Sequence, residues 1–97
     1  FFRHLIRHVF KGRNPDKVRF YAEKWAETLE QAMGDAVEIR GPVEAPLAKL
    51  RGEYRFHLWY FVHKVSPVAV RLRELRNQFP RDPGVADLID VDAFELR

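Results

Sequence analysis

The chain has 97 residues, enough for one domain with a single core and little stability to spare. Apolar residues make up 46% and charged residues 32%, a balance that excludes a disordered polar chain. There is no cysteine, which excludes disulfides and thiolate metal sites, and no apolar run is long enough to span a bilayer.

The net charge of +3 is modest, but its distribution is uneven. Residues 1–13 carry Arg3, Arg7, Lys11 and Arg13 and no acid, whereas residues 85–97 carry Asp87, Asp90, Asp92 and Glu95 against Arg97. Such a chain can meet an anionic partner on one side only, although surface charges also serve simply as a solvated coat. No secretory h-region opens the sequence. It starts at Phe1 and enters a strand pattern at once, which suggests a piece of a longer protein.

Residues 2–11 alternate as a strand, with Phe2, His4, Ile6, His8 and Phe10 on the more apolar, inward side. Asn14-Pro15-Asp16 then starts a helix: Asn14 caps, Pro15 takes the first position and Asp16 meets the positive end. Val18, Ala22, Trp25, Leu29, Ala32 and Met33 recur at helical spacing, and Gly34 is placed to end it. Ala36 to Arg40 reads as a short strand broken by Gly41-Pro42. Val43 to Gly52 reads as a loop holding Pro46, with room for a helical turn at Leu47–Leu50. Tyr54 to Lys64 is a long strand, with Phe56, Leu58, Tyr60 and Val62 on one face and Arg55, His57, Trp59, Phe61 and His63 on the other. Ser66-Pro67 repeats the cap-plus-proline start, and Val68, Leu72, Leu75 and Phe79 follow helical spacing. Pro80 to Gly84 is a turn-rich stop. Val85 to Phe94 holds the last strand, with Ile89 and Val91 inward and Leu88, Asp90 and Asp92 outward.

The order β-α-β-β-α-β predicts an α+β, ferredoxin-like (split β-α-β) fold: a four-stranded antiparallel sheet with two helices on one face. Right-handed crossovers put strands one and three in the middle. The other sheet face is bare and presents Arg3, Arg7, Lys11, Arg55, His57, Trp59, Phe61 and His63. Cations interleaved with aromatics suit nucleic acid, and the same Trp59 and Phe61 would equally suit docking against a neighbouring domain.

No catalytic constellation is legible. There is no Walker loop, no GxGxxG and no HExxH. His4 and His8 share a strand face but lie roughly 13 Å apart, too far for one metal, and each reads as a semi-buried or hydrogen-bonded histidine. Asp90 and Asp92 share a face with no coupled nucleophile and read as an edge-strand charge device. Thr28 falls mid-helix and Ser66 at a cap. Arg51-Gly52 matches the RNA-recognition signature at two positions only.

A longer pattern is more specific. Gly41-Pro42, Ala45-Pro46, Lys49-Leu50-Arg51-Gly52 and Tyr54-Arg55-Phe56 fit GP-x-x-AP-x-x-(K/R)LRG-x-YR-(W/Y/F). Ile89-Asp90-Val91-Asp92 fits a terminal (I/L)-D-V-D run, with Ala93 where proline is usual. These motifs resemble the C-terminal domain of the PriA family, the primosomal protein N′ replication-restart helicases. The resemblance implies a cytoplasmic parent protein that moves 3′ to 5′ on DNA with ATP and magnesium and carries zinc. Those cofactors belong elsewhere in the parent, so this piece would bind without turnover and hold no cofactor of its own. It also implies a fold like a small ribosomal-subunit protein, and partners among DNA, primosome proteins and the acidic tail of single-stranded-DNA-binding protein.

The basic loop is therefore the leading candidate site. Lys49, Arg51 and Arg55 can engage phosphates or carboxylates, with Arg40, Arg71 and Arg76 flanking. Gly41 and Gly52 permit unusual backbone angles, and Pro42 and Pro46 stiffen the loop. Arg55 could instead pair internally with Glu38 or Asp90. The expected function is a non-catalytic DNA-binding module for forked or single-stranded DNA. The alternatives are a protein-interaction module that docks on the helicase core or an acidic tail, and an RNA-binding domain of ribosomal-protein type.

Overall fold

The computed structural model describes residues 4–91, leaving aside the side chains of residues 46–50. Its elements are β1 (His4–Gly12), α1 (Pro15–Met33), a 3-10 turn (Gly34–Ala36), β2 (Val37–Leu50), β3 (Glu53–Val62), α2 (Val65–Gln78) and β4 (Ala86–Val91). The strands form one antiparallel sheet in the order β2-β3-β1-β4. This is the expected α+β ferredoxin-like arrangement, with β1 and β3 central. Phe2, Arg3, Asp92 and Phe94, which the sequence places on the first and last strands, lie outside the described residues.

Period-2 alternation explains the core. Ile6 and Phe10 of β1 and Phe56, Leu58, Tyr60 and Val62 of β3 are all buried. They join Val18, Ala22, Trp25 and Leu29 of α1 and Val68, Leu72 and Leu75 of α2 in one cluster, so both helices cover the same sheet face. Asn14 caps α1 through its side-chain oxygen, which accepts from the Asp16 and Lys17 amides. Gly34, at φ 52°, ends the helix with its amide donating to the Glu30 carbonyl.

Three expectations need correction. Ser66 does not cap α2: the helix already begins at Val65, its cap position is Lys64, and no side chain caps it. Val91 lies toward the helices but is 43% exposed, because β4 is an edge strand that α2 only partly covers. The largest change is at Val43–Leu50, which is neither a loop nor a helical turn. β2 continues through it as the partner of β3, with register shifts between Arg40 and Val43 and between Glu44 and Lys49. Prolines 42 and 46 are tolerated because β2 is also an edge strand, where a missing amide breaks no inner ladder. Gly41 makes the first bulge. Its φ is +107°, and a Cβ there would sit 2.6 Å from the His57 carbonyl oxygen.

β2 and β3 join through a two-residue turn, Arg51-Gly52, with φ of 56° and 81°. Positive φ at both positions is the type I′ pattern, whose twist suits a hairpin. Among the described residues no helix is long and apolar enough to cross a membrane.

At the same end of the sheet, β1 ends where the chain before β4 passes close by. A methyl on Gly12 would collide with the Gly84 carbonyl oxygen and lie 2.9 Å from Val18 Cγ2. Gly12→Ala is therefore expected to destabilise the domain by about 2 kcal/mol. A lower urea midpoint with an unchanged m-value would show this. An unchanged midpoint would mean that the Asp82–Gly84 turn gives way freely.

Candidate nucleic-acid interface

The helix-covered face contains a chain of polar groups that fixes which side of the sheet is sealed. Trp25 Nε1 donates to Tyr60 Oη at 2.6 Å. Tyr60 Oη lies 2.7 Å from His8 Nδ1, and His8 Nε2 lies 2.6 Å from Asp87 Oδ2. An indole N–H can only donate. The network is satisfied when the Tyr60 hydroxyl donates to His8 Nδ1 and His8 carries its proton on Nε2, toward Asp87. Arg76 closes the chain with a fork, Nε to Oδ2 at 2.7 Å and Nη2 to Oδ1 at 2.8 Å.

The charges follow from this geometry. Burial holds the His8 imidazole below its ordinary value, outweighing the pull of Asp87, so the ring is neutral. Burial disfavours the Asp87 carboxylate as well, but hydrogen bonds from His8 and Arg76 prevail and hold it well below the usual range. Burial pushes the Tyr60 hydroxyl well up. The Asp87 hydrogen bond raises Arg76.

The opposite face is open. Strand register brings Arg7 beside Trp59, Val9 beside His57 and Lys11 beside Arg55, while β2 adds Arg40 beside Trp59 and Val43 beside His57. Leu88 and Asp90 complete it from β4. His57 and Trp59 pack edge to face, their ring centroids 5.7 Å apart. Arg40 lies over the Phe61 ring at 5.7 Å. Arg7 donates to Asp90 through Nη2 at 2.6 Å. Its Nε and the Nη1 of Arg55 are buried without a hydrogen-bond partner.

The basic residues singled out from sequence do not form one cluster. Arg51 is exposed at the hairpin tip. Lys49 pairs through its backbone with Tyr54, next to that tip, and its side chain lies outside the description. Arg55 lies on the open face, roughly 13 Å along the chain from Arg51. Neither Glu38 nor Asp90 takes it, because Glu38 accepts from Arg40 at 2.7 Å and Asp90 from Arg7. Arg71 pairs with Glu74 at 3.3 Å on the outside of α2. Arg76 is committed to Asp87. Of the loop-shaping residues, Gly41 forms the bulge with Pro42, and Gly52 completes the turn.

Sequence reasoning missed the Trp25–Tyr60–His8–Asp87–Arg76 chain, although part of its signal was available. Trp25, Tyr60 and His8 all fall on inward positions, and each carries a polar tip that must find a partner. The same alternation that turns Ile89 inward also turns Asp87 inward.

The fold and this surface define a class: an open-faced α+β domain whose sealed side is internally satisfied and whose free side mixes cations with aromatic rings. The chain belongs to the family of primosomal protein N C-terminal domains, whose profile matches residues 2–94. Among solved structures it resembles a de novo designed protein, Foldit4, with a TM-score of 0.65 and 18% identity over 91% of this chain and 93% of that one. That likeness concerns fold alone. No curated protein matches the chain.

The buried chain predicts a two-step loss of stability in acid. A base held below its unfolded value binds fewer protons when folded, so stability falls as pH drops below 6.5, the ordinary value for His8. Asp87 adds a second fall below 3.8, again because the unfolded form takes up the proton first. Urea midpoints measured from about pH 8 to about pH 3 should show both steps, with the first reduced in His8→Gln and its remainder due to His57, which burial also lowers. A profile flat to about pH 5 in the unaltered protein would contradict a neutral, buried His8.

Proposed function

We propose that this domain is the non-catalytic DNA-binding module of a PriA-like replication-restart helicase, meeting forked or single-stranded DNA through the β2–β3 hairpin. The observation that carries this reading is the state of the cations. Arg71 and Arg76 are held by acids, and Arg40 leans on Glu38 and Phe61. No acid holds Arg51 or Arg55 among the described residues, and they lie at the tip and on the adjoining strand of the β2–β3 hairpin. Phosphates supply the missing acceptors, and Arg meets them with a two-pronged donor. The shared Gly-Pro, Ala-Pro and Leu-Arg-Gly segments that mark the family lie in this same hairpin. On this reading ATP, magnesium and zinc are handled by other parts of a cytoplasmic parent, and primosome proteins are the neighbours.

The test is fluorescence anisotropy with labelled forked, duplex and single-stranded DNA across a salt series. Contacts from Lys49, Arg51 and Arg55 to one strand give a log K against log salt slope of about −2. Arg51→Glu/Arg55→Glu, shown by circular dichroism to be folded, is expected to lose binding and most of that slope. Absence of binding to any DNA at low salt would overturn the reading in favour of a docking surface for the helicase core or the acidic tail of single-stranded-DNA-binding protein. Tighter binding to structured RNA than to forked DNA would point instead to a domain of ribosomal-protein type.

A further inference from the structure

We propose that the centre of the open sheet face is an oxyanion site, built by Arg7, His57 and Arg55, that holds a phosphodiester of a nucleic-acid strand while Trp59 offers a ring to a neighbouring base. The proposal rests on the nucleic-acid reading above but places a contact away from the hairpin tip, on residues of β1 and β3.

The unmet hydrogen bonds locate the site. Arg7 spends one guanidinium nitrogen on Asp90, while its Nε–H is buried with nothing to accept it. Arg55 Nη1 is in the same condition, and no acid among the described residues pairs with it. Buried donors without acceptors are uncommon and costly, more so on a charged group, so two on one face leave hydrogen-bonding capacity that an anion could meet once the two side chains turn toward it. The register sets His57 between them: it faces Val9, one pair away from Arg7–Trp59 on one side and from Lys11–Arg55 on the other, counting residues of the same face.

The electrostatics point the same way. On this face β1 contributes Arg7 and Lys11, β3 contributes Arg55 and, at its first residue, Glu53, β2 contributes Arg40 with Glu38, and β4 contributes Asp90. Glu38 and Asp90 are already paired, with Arg40 and Arg7, and Glu53 lies on the far side of Arg55 from His57, so the charge next to His57 is cationic. Burial lowers the His57 imidazole from its ordinary value, and the charges of Arg7 and Arg55 lower it further. An anion seated among the three would reverse the Arg contributions and raise it. Charge complementarity favours a phosphate over an apolar partner. The edge contact of Trp59 with His57 sets an aromatic surface next to the anion, as single-strand binding requires.

The probes are inorganic phosphate and hexathymidylate, followed by the His57 ring resonances across a pH series and by Trp fluorescence. Both probes are expected to shift His57 and raise its pKa, hexathymidylate at lower concentration and with a change in fluorescence. Arg7→Gln and Arg55→Gln are expected to abolish the effect, while Lys24→Gln, on the far side of α1, leaves it in place. Arg7→Gln also removes the Asp90 pair and can cost folding. Arg55→Gln breaks no ion pair among the described residues and carries the test alone in that case.

His57 resonances indifferent to both probes would overturn the site, as would a response that survives in Arg55→Gln. An acidic peptide such as hexa-aspartate displacing hexathymidylate at lower concentration would overturn the phosphodiester occupant. Forked DNA that binds while His57 stays silent removes this site and leaves the hairpin reading standing. Phosphate that moves His57 while neither hexathymidylate nor forked DNA binds removes the nucleic-acid reading and this occupant with it.

Discussion

The domain depends on one buried side chain having all its hydrogen bonds. Tyr60 is completely enclosed, and its hydroxyl is met by Trp25 from one helix and by His8 from the neighbouring strand. His8 in turn is tied to Asp87 on the outer strand, and Asp87 to Arg76 on the second helix. The chain thus links β3, α1, β1, β4 and α2. Remove any member and a buried donor or acceptor is left unmatched, at about 1–3 kcal/mol. Around it the apolar packing is ordinary, and packing alone tolerates exchange of one hydrophobe for another. The polar chain does not, because each member accepts only the donor or acceptor it was matched with. It selects one register and one helix placement from the many that would bury a similar apolar area.

That selection also decides what remains for the other face. Strand alternation is strict, so once Phe56, Leu58, Tyr60 and Val62 face the helices, Arg55, His57, Trp59 and Phe61 must face away. The same holds across the sheet for Arg7, Val9 and Lys11 on β1. Acids neutralise part of this surface, Asp90 against Arg7 and Glu38 against Arg40. What remains is a cationic centre with aromatic neighbours and a basic hairpin tip, set apart along one ribbon.

Much of this was legible in the sequence, for identifiable reasons. β1, α1 and β3 carry periods of 2.0 or 3.6 over long stretches, and Asn14-Pro15 and Gly34 mark the ends of α1 chemically. The open-face residues follow from the same alternation. β2 was misread because Gly41-Pro42 and Pro46 are signals for ending a strand, and local signals do not say that this strand lies at an edge. Ser66 was misread because a cap depends on where the preceding strand delivers the chain. The ion pairs were illegible for a related reason. Arg76 meets Asp87 and Arg7 meets Asp90 only after β4 returns alongside β1, a pairing between residues far apart in sequence. Arg55 shows the reverse: two acids seemed available to it, and the fold assigns both to other arginines.

A designed protein shares this topology at 18% identity, so the arrangement of strands and helices is attainable from a very different sequence. Gly-Pro, Ala-Pro and Leu-Arg-Gly occur together in β2 and the turn that follows. Those segments make a bulged edge strand and a tight turn that holds Arg51 at positive φ, a conformation that costs a non-glycine residue roughly 1 kcal/mol. Glycine or asparagine would occupy that position with less strain. Arg51 therefore carries a conformational cost at the tip of the hairpin, where its side chain is exposed. The orphaned guanidinium nitrogens of Arg7 and Arg55 have the same character. Both costs fall on the hairpin and the open face, and neither falls on the satisfied interior around Tyr60. Strain and unmet bonds confined to one surface of an otherwise consistent structure are the reason to look for a partner there rather than on the helix side.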